Sequence, residues 1–462
     1  MRRGLRVAGW GLIGLLGLAV LAVLATNVLL QTRLLRSLVN AEPDALFVDY
    51  QGAASWSPGR LSFDSLTLRS RDQNIEFEAA LRGVTLRVSL ADLLRRRLHA
   101  TRLRARTLRF RLREKLTREE ATRARLARFP RIAGFSDPPL LQTRPASSAN
   151  AEVPWRVVID DLSVERVEEI WIDSWKWNGE GAVAGRFDLL PGLEARVGPA
   201  RLEVASGALR RGASPVAQRP RGVVWCEFPL FDKKARPGND VWKILSGGVA
   251  LRGDLAGLAF LSPDSGGPRL SGGAGSLLAR VGLENGAGNA RLSVTARDLT
   301  VRDGKRVFKG STQLDVLAPR IDFPRGEASL AGTKLVLTDV SVEGAPGRPW
   351  AATFSAPAAR LHLTDDRLDS RLVGNLLDAR PIIAQMPRGL AKWAATLLHL
   401  EDLRFAGHLA VGPSQLALTS LRLSAGDFLL EGDYHSGFGP THGHFRARKG
   451  HLSVRFTVPR GT

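Results

Sequence analysis

Val294-Thr295-Ala296-Arg297-Asp298-Leu299-Thr300-Val301 is the stretch whose reading decides the fold. Val294 and Ala296 alternate with polar neighbours, the period of two that lines one face of a β-strand. After Arg297 and Asp298 the alternation resumes at Leu299 and Val301. The offset between the two pairs is odd, so a strict period of two places them on opposite faces of a sheet. A β-bulge at the polar residues absorbs one position, returns both pairs to a single face and adds right-handed twist.

The same octet recurs at Leu61/Phe63/Leu66/Leu68, Ala79/Leu81/Val84/Leu86, Leu103/Ala105/Leu108/Phe110, Val157/Ile159/Leu162/Val164 and Ile170/Ile172/Trp175/Trp177. Further copies are Leu335/Leu337/Val340/Val342, Leu398/Leu400/Leu403/Phe405, Leu416/Leu418/Leu421/Leu423 and Leu423/Ala425/Phe428/Leu430. An apolar fraction of 44% generates about five such octets by composition, so their number decides little. The second polar position decides more. It is Ser65, Gly83, Thr107, Asp161, Ser174, Asp298, Asp339, Asp402, Ser420 or Asp427, all small or turn-forming residues. The pattern predicts a mostly-β protein, an elongated, twisted antiparallel β-sheet forming an open apolar groove, with a few short helices. The competing arrangement is a chain of separate strands that change sheets at corners. The groove candidates are Leu61, Phe63, Leu66, Leu68, Val157, Ile159, Leu162, Val164, Val294, Leu299, Val301, Leu335, Leu337, Val340, Val342, Leu416, Leu418, Leu421 and Leu423.

Val7 to Leu30 is a charge-free apolar run. As a helix it spans roughly 36 Å, enough to cross a hydrocarbon core of about 30 Å with some tilt. Arg2, Arg3 and Arg6 keep its short N-terminal side cytoplasmic and send the rest of the chain across the membrane, although Arg33 and Arg36 oppose them. The alternative is a cleaved signal peptide ending at Val23-Leu24-Ala25. A lone Cys226 excludes a disulfide framework and a multi-Cys zinc site.

The net charge of +21 is mostly arginine and by itself argues for no nucleic-acid partner. Its location is more informative, since Arg87 to Arg131 holds 16 basic and 4 acidic residues. Within it Arg95, Arg96 and Arg97 are candidates for anionic headgroups of phospholipid or phosphorylated glycolipid at a membrane surface. A solvated charged face is the other reading.

Six regions follow from composition: a cytoplasmic N-terminus and transmembrane anchor (1–40), an N-terminal β-unit with a short basic helix (41–128), a Pro-rich linker or loop (129–154), an extended β-groove (155–375), a helical segment (376–399) and C-terminal strands (400–462). Thr117-Arg118-Glu119-Glu120 matches a capping box opening the basic helix. In the helical segment Ile382, Ile383, Met386, Leu390, Trp393 and Leu397 recur at helical spacing around Pro387.

Catalytic signatures are missing: no GxSxG elbow, Walker A loop, HExxH or strand-linked GxGxxG occurs. His435, His442, His444 and His451 lie close in sequence, but no Cys or carboxylate stands at ligand spacing, so neither a metal nor a cofactor is expected. Trp171, Trp175 and Trp177 read as core aromatics of a strand, and no enzyme is expected.

The apolar helix followed by Trp56-Ser57-Pro58-Gly59-Arg60-Leu61-Ser62-Phe63-Asp64-Ser65-Leu66-Thr67-Leu68 resembles the amino-terminal region of the AsmA-like family, which includes the TamB-related proteins. The likeness continues in Leu93-Leu94-Arg95-Arg96-Arg97-Leu98, in Leu108-Arg109-Phe110-Arg111 and in Gly426-Asp427-Phe428-Leu429-Leu430-Glu431-Gly432. The resemblance implies an inner-membrane protein of a Gram-negative envelope whose periplasmic groove moves phospholipid or another lipid between inner and outer membrane. It leaves room for other envelope proteins as partners. An assembly factor for outer-membrane proteins is the alternative function.

Overall fold

The computed structural model describes residues 46–141, 155–232, 240–262, 268–379 and 400–458, apart from 72–73, 94, 191–192, 304–305, 344, 414 and 438–441, together with 23–28, 30–32, 37 and 40. The fold is mostly β, as the octets predict, with four-residue helices at Leu90–Leu93 and Arg123–Leu126. Positions 7–22 and 29 of the expected membrane span lie outside the described residues; among those described, no helix is long and apolar enough to cross a membrane. Contacts divide the chain into two units, Met1–Ala213 with Val223–Val241, and Ser214–Gly222 with Trp242–Thr462.

In the first unit the strands are β1 (Leu46–Gln51), β2 (Ala54–Ser57), β3 (Arg60–Arg71), β4 (Ile75–Val88), β5 (Arg97–Glu114), β6 (Arg156–Ile172), β7 (Trp175–Leu190) and β8 (Glu194–Arg211). β1 and β2 both pair with β3, and from β3 to β8 each strand pairs with the next. The expectation of a purely antiparallel sheet is corrected at β5–β6, which is parallel. Residues 115–155 explain it, because a parallel pair needs a long crossover that a hairpin cannot supply.

The start of that crossover is ordered by its own sequence. Thr117 and Glu120 make the reciprocal bonds of a capping box, with the Thr117 amide donating to the Glu120 carboxylate at 3.0 Å and the Glu120 amide to Thr117 Oγ1 at 3.3 Å. The box closes one turn only; helix Arg123–Leu126 starts afresh on Thr122, whose hydroxyl accepts from the Arg125 amide. Phe129 and Ile132 are buried, so residues 129–141 are a packed loop. Residues 142–154 lie outside the described residues.

The edge formed by β1 and β2 is occupied by side chains. Asn27 donates to the Ser55 carbonyl and accepts from its amide, both at 2.8 Å. Asn40 does the same for Val48, at 2.9 and 2.6 Å. A carboxamide carries one donor side and one acceptor, so each asparagine pairs with the strand as a neighbouring strand would.

β9 (Ser214–Asp232) gives its first half to the second unit and its second half to the first. The second unit then holds β10 (Ser246–Leu255), β11 (Arg269–Ser271), β12 (Ala274–Glu284), β13 (Ala287–Asp303), β14 (Arg306–Asp322), β15 (Glu327–Ser329), β16 (Thr333–Val342), β17 (Ala345–His362), β18 (Arg367–Asp378), β19 (Glu401–Gly412), β20 (Gln415–Ala425), β21 (Phe428–Gly437), β22 (His442–Lys449) and β23 (Leu452–Val458). From β12 to β23 the sheet grows by antiparallel pairing, with β11 extending the line of β12 along β13 and β15 bridging β14 and β17. Asn285 and Gly286, both at positive φ, close the β12–β13 hairpin, a two-residue turn whose twist matches the strands.

Three sequence assignments are corrected. β18 runs through Leu376 and Leu377 to Asp378, so the helical segment does not begin at 376; residues 380–399 lie outside the described residues. Asp173-Ser174 and Gly426-Asp427 are not bulges but the two-residue turns joining β6 to β7 and β20 to β21. A turn needs the same small, left-handed-tolerant residues as a bulge, which is why the octet pattern cannot separate them.

Candidate functional site: an apolar sheet face

Residues directly opposite one another in a ladder share a face, so the register shows which side chains lie together. On β6, Val157, Ile159, Leu162 and Val164 face Leu189, Phe187, Gly185 and Val183 of β7. The partners keep a spacing of two while the β6 residues skip three between Ile159 and Leu162, the signature of a bulge at Asp160-Asp161. β13 repeats it: Val294, Ala296, Leu299 and Val301 face Leu314, Thr312, Gly310 and Phe308 of β14, with Asp298 at φ +54°. So do β16, where Leu335, Leu337 and Val340 face Phe354, Ala352 and Trp350 around Asp339, and β20, where Leu418, Leu421 and Leu423 face Tyr434, Gly432 and Leu430 around Ser420.

β3 and β4 reach the same result differently. Leu61, Phe63, Leu66 and Leu68 face Leu86, Val84, Leu81 and Ala79 with no shift of register, because both strands carry the irregularity at the same level. Gly83 supplies it on β4 at φ +60°. The apolar candidates therefore lie on one face in each strand of this kind.

Their environments differ. Phe63, Leu66 and Val164 are buried in a first-unit cluster against which Leu61, Leu68, Val157, Ile159 and Leu162 pack half-buried. Val294 and Ala296 are buried with Leu255 and Leu258, with Leu299 packed alongside. The single-turn segment Ala259–Leu261 follows Leu258, and Phe260 packs on that cluster, so part of the β13 face is covered by the chain itself. Val340 and Leu423 belong to a third cluster with Trp350, Leu403 and Phe428, and Leu337 packs on it. Val301, Leu335, Leu418 and Leu421 are half-buried, and Leu416 is 39% exposed. Val342 is paired with Phe308 in the β14–β16 register. Leu398 lies outside the described residues.

The basic candidates stand at the start of β5. Arg95 and Arg96 are exposed, Arg96 with φ +55°, while Arg97 is half-buried opposite Arg156.

Three charged clusters escaped the sequence reading. Arg113, 1% exposed, donates to Glu76, 2% exposed, at 2.8 Å and also to the carbonyls of Pro130 and Ser136 and to Asp137. His99 sits between Asp92 and Asp160, 2.7 Å from each carboxylate. Hydrogen bonds to Asp160 and then Asp92 hold the His99 imidazole above its ordinary pKa, and the bond to His99 holds Asp92 below its own. Burial pushes Glu169 up, but hydrogen bonds from Arg111 and Lys176 outweigh it and leave the group low. The partners in these clusters lie tens of residues apart, so no local pattern marks them.

His435 and His442 are cross-strand partners whose rings stack with centroids 5.1 Å apart rather than converging on a point. Among the described residues no group of three or more His, Cys, Asp and Glu side chains is arranged to hold a metal. Burial raises the Cys226 thiol pKa. Of the tryptophans, Trp177 is buried, while Trp171 lies under the Lys176 ammonium and Trp175 beside the Arg211 guanidinium. No family model, curated protein or solved structure matches this chain.

Proposed function

We propose that the chain is an inner-membrane-anchored protein that carries phospholipid or another lipid along its apolar β-face between inner and outer membrane. The observation that supports this most is the phase correction: strand after strand adds a bulge that keeps aliphatic side chains on one face, many of them only half-buried. Half-buried leucines recur on β3, β6, β13, β16 and β20, more than a closed core needs. Acyl chains laid on such a face gain about 0.8 kcal/mol per buried methylene without being fixed in position, while headgroups stay in water. The resemblance of residues 56–68 to AsmA-like proteins and the apolar run at 7–30 fit an anchored carrier with a cytoplasmic N-terminus.

Mass spectrometry of lipid retained by the full chain after extraction in nonionic detergent tests the reading. Phospholipid retained by the wild type and lost on Leu421→Arg is the expected result; equal lipid content in both rejects it. A second reading, assembly of outer-membrane proteins, draws on β23: Leu452 is 75% exposed, and among the described residues β23 pairs only with β22. Crosslinks from β23 to client strands, without retained lipid, would favour it.

A further inference from the structure

β3, β4 and β5 carry three rows of charged side chains on the face opposite the apolar one, and the rows differ. Arg69, Glu78 and Arg111 stand side by side in register, as do Arg71, Glu76 and Arg113. In both rows a glutamate separates two arginines, and Glu78 lies 3.9 Å from Arg69 and 3.8 Å from Arg111. At the other end of the same strands the row reads Arg60, Arg87, Arg102, with an arginine where the glutamate belongs. Like charges directly opposite each other in a ladder destabilise it.

Within the described part of the sheet only Arg102 of this row has a carboxylate near it. All three arginines are exposed, and neither Arg60 nor Arg87 has a carboxylate partner among the described residues. Arg102 is 3.4 Å from Asp161, but Asp161 makes its paired hydrogen bonds to Arg104, at 2.9 and 2.8 Å. Arg60, Arg87 and Arg102 surround a small cavity of about 70 Å³ completed by Thr85 and Leu86. Three arginines and a threonine lining so small a space suit a tetrahedral oxyanion, since arginine donates bidentately to phosphate oxygens.

We infer that Arg60, Arg87 and Arg102 form a binding site for a phosphoryl group, whether free in solution or carried on a lipid headgroup. The bound anion takes the place that Glu76 and Glu78 hold in the other two rows. Trp56, 81% exposed on β2 beside the start of β3, leaves an amphipathic ring uncovered near the site, the kind of side chain that suits a membrane interface. The inference stands independently of lipid carriage on the opposite face.

Arg87→Glu tests it, because the substitution rebuilds the alternating row and so removes the site while relieving the repulsion. In phosphate-free buffer the full-length variant, in nonionic detergent, should melt higher than wild type by about 2–4 °C. Inorganic phosphate, with chloride matching the ionic strength, should raise the melting temperature of wild type only. Arg87→Gln, which creates no new ion pair, should also lose the phosphate response. In nanodiscs, stabilisation of wild type by phosphatidylglycerol over phosphatidylcholine identifies a headgroup as the source, and a response to soluble phosphate alone identifies a free anion. The site is refuted if phosphate stabilises wild type and Arg87→Gln equally, or if Arg87→Glu melts no higher than wild type.

Discussion

Val294 and Leu299 stand at opposite parity on β13 yet pack in one apolar cluster, because Leu299 faces Gly310 while Ala296 faces Thr312 on the partner strand. One residue of slack at Arg297-Asp298 makes this possible, and Asp298 takes it up in the left-handed region, at φ +54°.

Substitution at Asp298 measures that strain. Glycine has no penalty at positive φ, whereas a β-branched residue is a genuine outlier there. Asp298→Gly should leave stability within about 0.5 kcal/mol, and Asp298→Val should cost about 1–2 kcal/mol. Urea unfolding of the pair checks this, and equal stability would mean that the bulge carries no backbone strain.

Arg113 holds the crossover loop to the sheet. Arg113→Met leaves Glu76 buried without its partner and frees the carbonyls of Pro130 and Ser136. A loss of about 3–5 kcal/mol is expected, since breaking a buried pair strands a charge. Limited trypsin digestion should then cut first at Arg123, Arg125 or Arg131. Unchanged protease resistance would place the loop's anchorage elsewhere.

The strand content and the phase correction that keeps a strand's apolar residues on one side were legible because they depend on residues within one octet. Gly83, Asp298, Asp339, Asp402 and Ser420 take positive φ, whereas Ser65, Thr107 and Asp161, at the same octet position, do not. Asp173 and Gly426 also take positive φ, but as hairpin turns, a distinction that depends on strand partners and not on local sequence. The parallel β5–β6 pair was hidden for the same reason. Arg113, Glu76 and the triple-arginine row became visible only through cross-strand register, which charge counting along the chain cannot supply.

His99 makes stability depend on pH near neutrality. Its folded pKa is raised, so its contribution is complete below the unfolded value of about 6.5 and is lost as pH rises through the folded value. Asp92 is lowered, so its contribution is present above the unfolded value of about 3.9 and is lost as pH falls through the folded one. The cluster therefore stabilises most between about pH 4 and 6.5. Melting temperatures of wild type and His99→Gln should diverge in that window and converge at higher pH. Curves that stay parallel from pH 5 to about 9 would remove His99 from the balance.

If the bulged strands present a lipid-carrying face, β20 is where it shows, because Leu418 and Leu421 on that face are only half-buried. Leu418 and Leu421 share the face through Tyr434 and Gly432 despite their opposite parity, whereas Ala417 and Arg422 face His435 and Glu431 on the other side. A photo-crosslinking residue placed singly at these four positions in membranes should capture phospholipid at 418 and 421 and none at 417 and 422. Capture that follows parity, or that is equal at all four positions, would rule out a lipid-carrying face on β20.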